Sequence, residues 1–321
     1  MNVCVIGLGS MGKRRIRLLK QFFHELKIIG IDNNLERMKS VSTEYKVDCY
    51  LALSEFGEKA DCAFVCTSPQ FHASIIKECL ERNLHVFSEI NLIDKLYDEN
   101  IRLAEQKGKT LFLSSTPLYK DEIQLIRSKV KQNGRPCAYQ YHVGQYLPDW
   151  HPWDKLDEFF ISNKSTNGCR ELLAIELPWI QSVFGRIKAV KTTKTNLTDL
   201  KIDFYDTFLI QIEHETGAVG NLAVDVVSRQ AVRRLEIFNE ELYIRWNGTP
   251  NSLYEKDIIS KQLKQIPAGT YIHESGYSEA INEYAYLKEI ENFFEVIEGK
   301  EALYSFEEDK EILKIIDSIE E

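Results

Sequence analysis

Three glycines near the N-terminus, in Gly7-Leu8-Gly9-Ser10-Met11-Gly12, are spaced as G-x-G-x-x-G. This spacing suits a backbone that turns sharply and offers its N–H groups to an anion. Gly7 permits the tight turn, and Gly9 lets a pyrophosphate approach the chain. Gly12 allows a helix to pack closely on a strand, with Ser10 and Met11 opening that helix. Asp32 lies twenty residues beyond Gly12, at the distance where a carboxylate accepts hydrogen bonds from adenosine ribose hydroxyls. A carboxylate there repels a 2′-phosphate, so NAD is expected ahead of NADP. Arg37 and the Lys13/Arg14 pair are the nearby cations that could offset that repulsion.

A second unusual segment is Gly144-Gln145-Tyr146-Leu147-Pro148-Asp149-Trp150-His151-Pro152-Trp153. Trp150 and Trp153 offer indole faces that can stack on a sugar ring. They flank His151, an imidazole titrating near neutral pH, with Asp149 beside it. The alternative is packing: proline-flanked tryptophans plug a loop onto the core and His151 caps a turn. Arg233-Arg234 can fork onto a carboxylate or phosphate, although a surface pair at a strand edge is the simpler expectation. His142 and His151 stand nine apart without a matching carboxylate or thiolate cluster, so no metal site is expected.

The elements that would position these residues follow from patterning. Asn2–Gly7 is a short apolar run ending in glycine, as a buried parallel strand should be. Residues 10–23 carry Ile16, Leu19 and Phe23 at helical spacing. The basic run Lys13-Arg14-Arg15-Ile16-Arg17 then falls on what should be a solvated helix face. Lys27–Ile31, Asp48–Leu51, Ala60–Cys66, His85–Ser88 and Thr110–Leu113 follow as strands separated by helix-like segments, the helix after Lys27–Ile31 being capped by Asn33. This alternation predicts a doubly wound parallel sheet with helices on both faces. The second half differs. Ile202–His214, Val219–Val227, Arg234–Phe238 and Leu242–Trp246 are β-rich runs with short turns, predicting an antiparallel sheet covered on one face. Beyond Ile281, Tyr284, Leu287, Ile290, Phe294 and Ile297 recur at helical spacing. The expected fold is α/β: a Rossmann domain over residues 1–118, then an α+β domain with a mostly antiparallel, open-faced sheet over 119–321.

Composition is consistent with this and excludes other classes. The chain has 321 residues, 40 Lys+Arg and 49 Asp+Glu, for a net charge of −9. An acidic balance argues against duplex nucleic acid as a partner. No apolar stretch approaches the roughly 20 residues that cross a bilayer. The chain opens directly on a strand, so no signal peptide is expected. Seven cysteines without zinc-ribbon spacing, Cys62 and Cys66 among them, read as buried thiols in a reducing, cytoplasmic compartment.

Residues 61–91, DCAFVCTSPQFHASIIKECLERNLHVFSEIN, resemble the glucose–fructose oxidoreductase/inositol dehydrogenase (Gfo/Idh/MocA) family. There a strand ends in T-x-P-x-x-H, a helix follows, and the next strand ends in Glu-Lys-Pro. The matching residues are Thr67, Pro69 and His72, with Ser68 between them, then Glu89. Further on, 166–185 (TNGCRELLAIELPWIQSVFG) looks like the family's active-site helix, and 286–300 like its C-terminal helix. The resemblance implies an NAD(P)-dependent sugar oxidoreductase, cofactor contacts from Thr67, Ser68, Pro69, His72 and Glu89, and a homodimer or homotetramer built on the open sheet face.

The same resemblance exposes a conflict. The family supports hydride transfer with the Lys of Glu-Lys-Pro and with a His and an Asp on the second-domain helix. This chain has Ile90, Ile175 and Pro178 at those positions. A shift of one residue would put Glu176 in place of Ile175. Isoleucine cannot transfer a proton, so the usual mechanism is not available. The segment around Trp150 resembles a Y-L-P-x-W-H-P-W stretch of family members from surface-polysaccharide and nucleotide-sugar pathways. On that reading His151 is the acid/base, Tyr146 or Tyr119 replaces it if needed, and Glu176 is its partner. Trp150 and Trp153 hold the sugar, and Arg170 holds a substrate phosphate or makes a helix-surface ion pair. The alternative is an NAD-binding regulatory member without hydride transfer.

Overall fold

A computed structural model of the chain describes residues 1–56, 59–150, 161, 163–267, 269–274 and 281–321. It divides into two compact units, one of Met1–Ser115 with Ile290–Lys310, the other of Thr116–Glu289 with Glu311–Glu321. The expected single break at Leu118 is therefore corrected: a C-terminal segment returns to the first unit.

In the first unit, β1 (Asn2–Ile6), β2 (Lys27–Ile31), β3 (Asp48–Tyr50), β4 (Cys62–Val65), β5 (His85–Ser88) and β6 (Leu111–Leu113) form one parallel sheet. Their order is β3-β2-β1-β4-β5-β6, the doubly wound Rossmann arrangement. Helices α1 (Ser10–Phe22), α2 (Leu35–Tyr45), α3 (Pro69–Glu81) and α4 (Tyr97–Lys107) make the connections. Asn34, rather than Asn33, caps α2 by accepting hydrogen bonds from the Glu36 and Arg37 amides at 3.0 Å. Phe64, Phe87 and Phe112 lie in register on three adjacent strands and stack at 4.7 and 5.1 Å between centroids. Phe293 meets them edge-on at 5.3 to 5.6 Å. Burying that ring explains why the later segment joins this unit.

The second unit holds one eight-stranded sheet in the order β14-β13-β12-β11-β7-β10-β9-β8. Its central strand β7 (Ala138–Gly144) pairs parallel with β10 (Val219–Asp225) and antiparallel with β11 (Val232–Phe238). The flanking strands β8 (Ile187–Thr195), β9 (Thr207–His214), β12 (Tyr243–Trp246), β13 (Tyr254–Lys256) and β14 (Leu263–Gln265) pair antiparallel. One face is covered by helix. Trp179, on α6 (Gly168–Phe184), meets Tyr141 of β7 at 5.3 Å and Trp246 of β12 at 6.5 Å, both edge-to-face. The other face stays open: along β9, Leu209, Gln211 and Glu213 are exposed while their neighbours are buried. Helices α5 (Asp121–Asn133), α7 (Glu283–Ile297) and α8 (Phe306–Glu320) complete the chain. No described helix is long and apolar enough to cross a membrane.

Candidate cofactor and active site

Strand order reverses between β1 and β4, and ligands of doubly wound sheets bind outside the carboxyl ends of the strands at such a point. The glycine loop follows β1 there. Gly7 has φ +93°, and a Cβ on it would sit 2.7 Å from the Cys66 carbonyl carbon at the end of β4. A Cβ on Gly12 would lie 1.9 Å from the Gly7 carbonyl oxygen, whereas one on Gly9 would meet nothing within 4 Å. Two glycines are thus forced by close packing and the third faces open space. Gly9 opens α1 without a side-chain cap, and no acidic residue sits in the first turn of that helix. Ser10 and Met11 follow it in that turn. The arrangement leaves a helix N-terminus for a pyrophosphate.

Asp32, at the end of β2, is 8% exposed. One carboxylate oxygen accepts the Leu8 amide at 2.7 Å and the other the Asn34 amide at 2.8 Å. The acid therefore holds the loop in place and keeps lone pairs for ribose hydroxyls. Arg37 stands 4.0 Å from it and is largely exposed. At the end of β4, the buried Thr67 hydroxyl oxygen has no hydrogen-bond partner among the described residues. Ser68 and Pro69 open α3 there, again without a side-chain cap. An uncapped double helix start, an unsatisfied hydroxyl and a cradle shaped by missing Cβ atoms fit a dinucleotide. Gly12→Ala should weaken NAD binding by about 100-fold, because overpacking by one methyl costs about 1–3 kcal/mol and pushes the loop into the cofactor's space. Equilibrium titration with NAD checks this; unchanged affinity would show that the loop is not the binding element.

Two residues expected to touch the cofactor are committed elsewhere. His72 is 1% exposed, its ring nitrogens 2.7 Å from the Thr67 carbonyl and 2.8 Å from Asn91 Oδ1. Burial lowers its pKa, so it is a neutral brace between the β4 and β5 loops. Glu89 accepts a hydrogen bond from Arg15 Nε at 2.6 Å and a second from the same guanidinium at 3.2 Å. Arg15 is fully buried, and its guanidinium lies 4.5 Å over the Phe87 ring. The basic run is therefore not a solvated face: Arg14 and Arg15 are both buried. The signal was present in the spacing, since Arg15 stands three residues from Gly12 and four from Leu19, on the packed stripe of α1.

In the second unit the described candidates each make contacts of their own. His151 and Trp153 lie outside the described residues. Trp150 is half-buried and donates its indole N–H to the Gln145 carbonyl at 3.1 Å. Tyr146 lies under the Arg229 guanidinium, 3.7 Å from ring centre. Tyr119 is buried, 5% exposed. Arg170 is not a free phosphate ligand. It is 6% exposed and pairs with Asp317 at 2.7 Å and with Glu320, tying α6 to α8. Glu176 also points inward. Tyr141 and Trp179 donate to one of its oxygens at 2.8 and 2.6 Å, and Arg233 Nε donates to the other at 3.0 Å. With three donors on it, that carboxylate is held as a structural anchor. Arg233 is correspondingly not part of an edge pair, because β11 lies inside the sheet.

Two groups in this unit escaped the sequence reading. Glu171 sits one turn before Ile175 on α6, on the same, partly open, side of the helix. One of its carboxylate oxygens is buried without a hydrogen-bond partner among the described residues. Burial pushes this carboxyl up to about 7. The i, i+4 relation to Ile175 was the available signal. Lys120 follows Tyr119 directly, and its ammonium lies 5.8 Å from the centre of the Trp246 ring. An acid titrating near neutrality can exchange a proton with a substrate hydroxyl.

Residues 1–115 match a family model described as "Oxidoreductase family, NAD-binding Rossmann fold" (GFO_IDH_MocA). Biliverdin reductase A of Mus musculus is 24% identical over 214 residues, 66% of this chain and 66% of that protein. The matched stretch thus falls just short of two thirds of that relative's length. Among solved structures, UDP-N-acetylglucosamine 3-dehydrogenase GnnA from Acidithiobacillus ferrooxidans superimposes with a TM-score of 0.78 at 17% identity, over 100% of this chain and 96% of that one. An oxidoreductase from Agrobacterium radiobacter in complex with NAD+, L-tartaric acid and magnesium gives 0.82 at 13% identity, over 99% and 94%. At these identities the structural likeness is one of fold, and it spans both units. The glycine loop, Asp32 and the switch point all lie within the 115 residues that match this oxidoreductase family's NAD-binding Rossmann domain.

Proposed function

We propose that the protein is an NAD-dependent oxidoreductase of a sugar or nucleotide sugar, working in the cytoplasm, with Glu171 as its acid/base. The observation that carries this reading is a partly open helix bearing a carboxyl unpartnered among the described residues, in a chain whose first domain is built for NAD. The Gly7–Gly12 backbone would hold the pyrophosphate, Asp32 the adenosine ribose, and Thr67 with the α3 N-terminus the remaining polar edge. Bound NAD supplies a hydride acceptor. Glu171 takes the proton of the substrate hydroxyl as a carbonyl forms, or returns it in the reverse direction. GnnA, named for a UDP-N-acetylglucosamine dehydrogenase activity, supports a nucleotide sugar as the first substrate class to try.

The open sheet face supports a homodimer or homotetramer. It carries the exposed Leu209 and a concavity of about 760 Å³ lined by His142, Lys191, Gln211, Asn221 and Arg234. The decisive experiment incubates the protein with NAD and a panel of sugars and nucleotide sugars and follows reduced-cofactor absorbance. Turnover of at least one nucleotide sugar is expected. Tight NAD binding with no turnover on any sugar, and no reduced cofactor carried through purification, would instead favour a non-catalytic NAD-binding member.

A further inference from the structure

Lys120 and Arg233 bring two cations to one end of the helix-covered sheet face. Leu235 pairs with Trp246 across β11 and β12, so Arg233, two residues earlier on β11, shares that face. The Gly248 backbone packs on it, since a Cβ at Gly248 would lie 2.6 Å from the Arg233 Cβ. Arg233 donates its Nε to Glu176, and a third of its side chain is exposed. Its guanidinium also bonds with Tyr141. Lys120 stands over Trp246 from the turn that opens α5, and among the described residues it makes no ion pair or hydrogen bond through its ammonium.

The charges facing Lys120 are Arg233 from β11, Glu176 from α6 and Glu122 from α5. Glu176 is already filled by Tyr141, Trp179 and Arg233. Burial and then the Arg233 charge pull the Lys120 ammonium down to about 8, against the opposite pull of the two acids. A lysine beside an arginine, with no ion-pair partner among the described residues, is stabilised by an anion bound next to it.

We propose that Lys120 and the outer edge of the Arg233 guanidinium form an anion-binding site of the second unit, taking the carboxylate or phosphate oxygens of the substrate. This rests on the reading of that unit as the substrate-binding one. Glu176 acts on the site as a positioning residue, holding the arginine fork through Nε. An anion placed there stabilises the protonated lysine and raises its pKa towards the ordinary value. Binding therefore takes up a proton at about pH 8.5, where free Lys120 is largely neutral.

The test is calorimetric titration of the full-length protein, loaded with NAD, against D-glucuronate, D-glucose 6-phosphate and neutral D-glucose, in two buffers of different ionisation enthalpy. At least one anionic sugar should bind tenfold or more tightly than glucose, with proton uptake at about pH 8.5. The glucuronate and phosphate arms tell which anion is preferred. K120M should weaken that binding at least tenfold. K120R should keep it and lose the proton uptake, because guanidinium does not titrate there. Anionic sugars binding no better than glucose, or K120M binding like the parent protein, would overturn the site. Anion binding without reduction of NAD would count against the redox reading alone. Turnover of a neutral sugar without anion binding would count against this site alone.

Discussion

Replacing Glu171 with glutamine should lower kcat by about 10²- to 10⁴-fold, the usual contribution of a positioned acid/base, while leaving NAD affinity unchanged. Glutamine keeps the size of the side chain and cannot exchange a proton. The pH profile gives the sharper check. Burial raises this carboxyl to about 7, so it is protonated below that pH and ionised above it. In alcohol oxidation the ionised form is the active one. The parent's kcat should therefore rise through about pH 7 and level off, and the variant's residual rate should lose that limb. Carbonyl reduction should show the mirror image, falling as pH rises through the same value. E171Q turning over like the parent would remove Glu171 from the chemistry. Glu176→Gln offers a contrast, since it would disturb the anchor of Arg233 and raise KM without moving the pH limb.

The second large effect concerns stability. Arg15→Met should destabilise the protein by about 3–5 kcal/mol, because it strands Glu89 as a buried, unpaired carboxylate. The double variant Arg15→Met with Glu89→Leu should recover most of that loss, since two apolar groups of similar size remove the stranded charge along with its partner. Chemical denaturation of the four proteins of this cycle measures the coupling. A single-variant cost below about 1 kcal/mol would mean that water reaches the pair and that it does not organise the β5 loop.

Much of this protein was legible before any coordinates. The Rossmann strands of the first half were readable because both faces of a parallel sheet are buried, which leaves short, nearly pure apolar runs such as Val3–Ile6 and Cys62–Val65. The second sheet was only half readable. β7 lies at its centre, yet its alternation of Tyr139, Tyr141 and Val143 with Gln140 and His142 is diluted by polar residues facing the open side. β8, with its lysines and threonines, and the exposed β14 carry still weaker patterns. A one-sided sheet writes only every second residue into the hydrophobic code.

By itself the sequence determined the cofactor. G-x-G-x-x-G and Asp32 are local features, each fixed by backbone geometry within one βαβ unit, so linear spacing is enough to specify them. Only the tertiary structure decided the fate of the charged residues. Arg15 looked solvated, and Arg170, Glu89 and Glu176 looked available for ligands, yet each is bound to a partner 74, 147, 74 or 57 residues away. Glu171 and Lys120, unremarkable in the chain, are among the groups left without one among the described residues. The reason is physical. Whether a carboxylate or an ammonium is free to do chemistry depends on which opposite charge and how much water it meets after folding, whereas the spacing of its neighbours tells only which face of its helix it occupies.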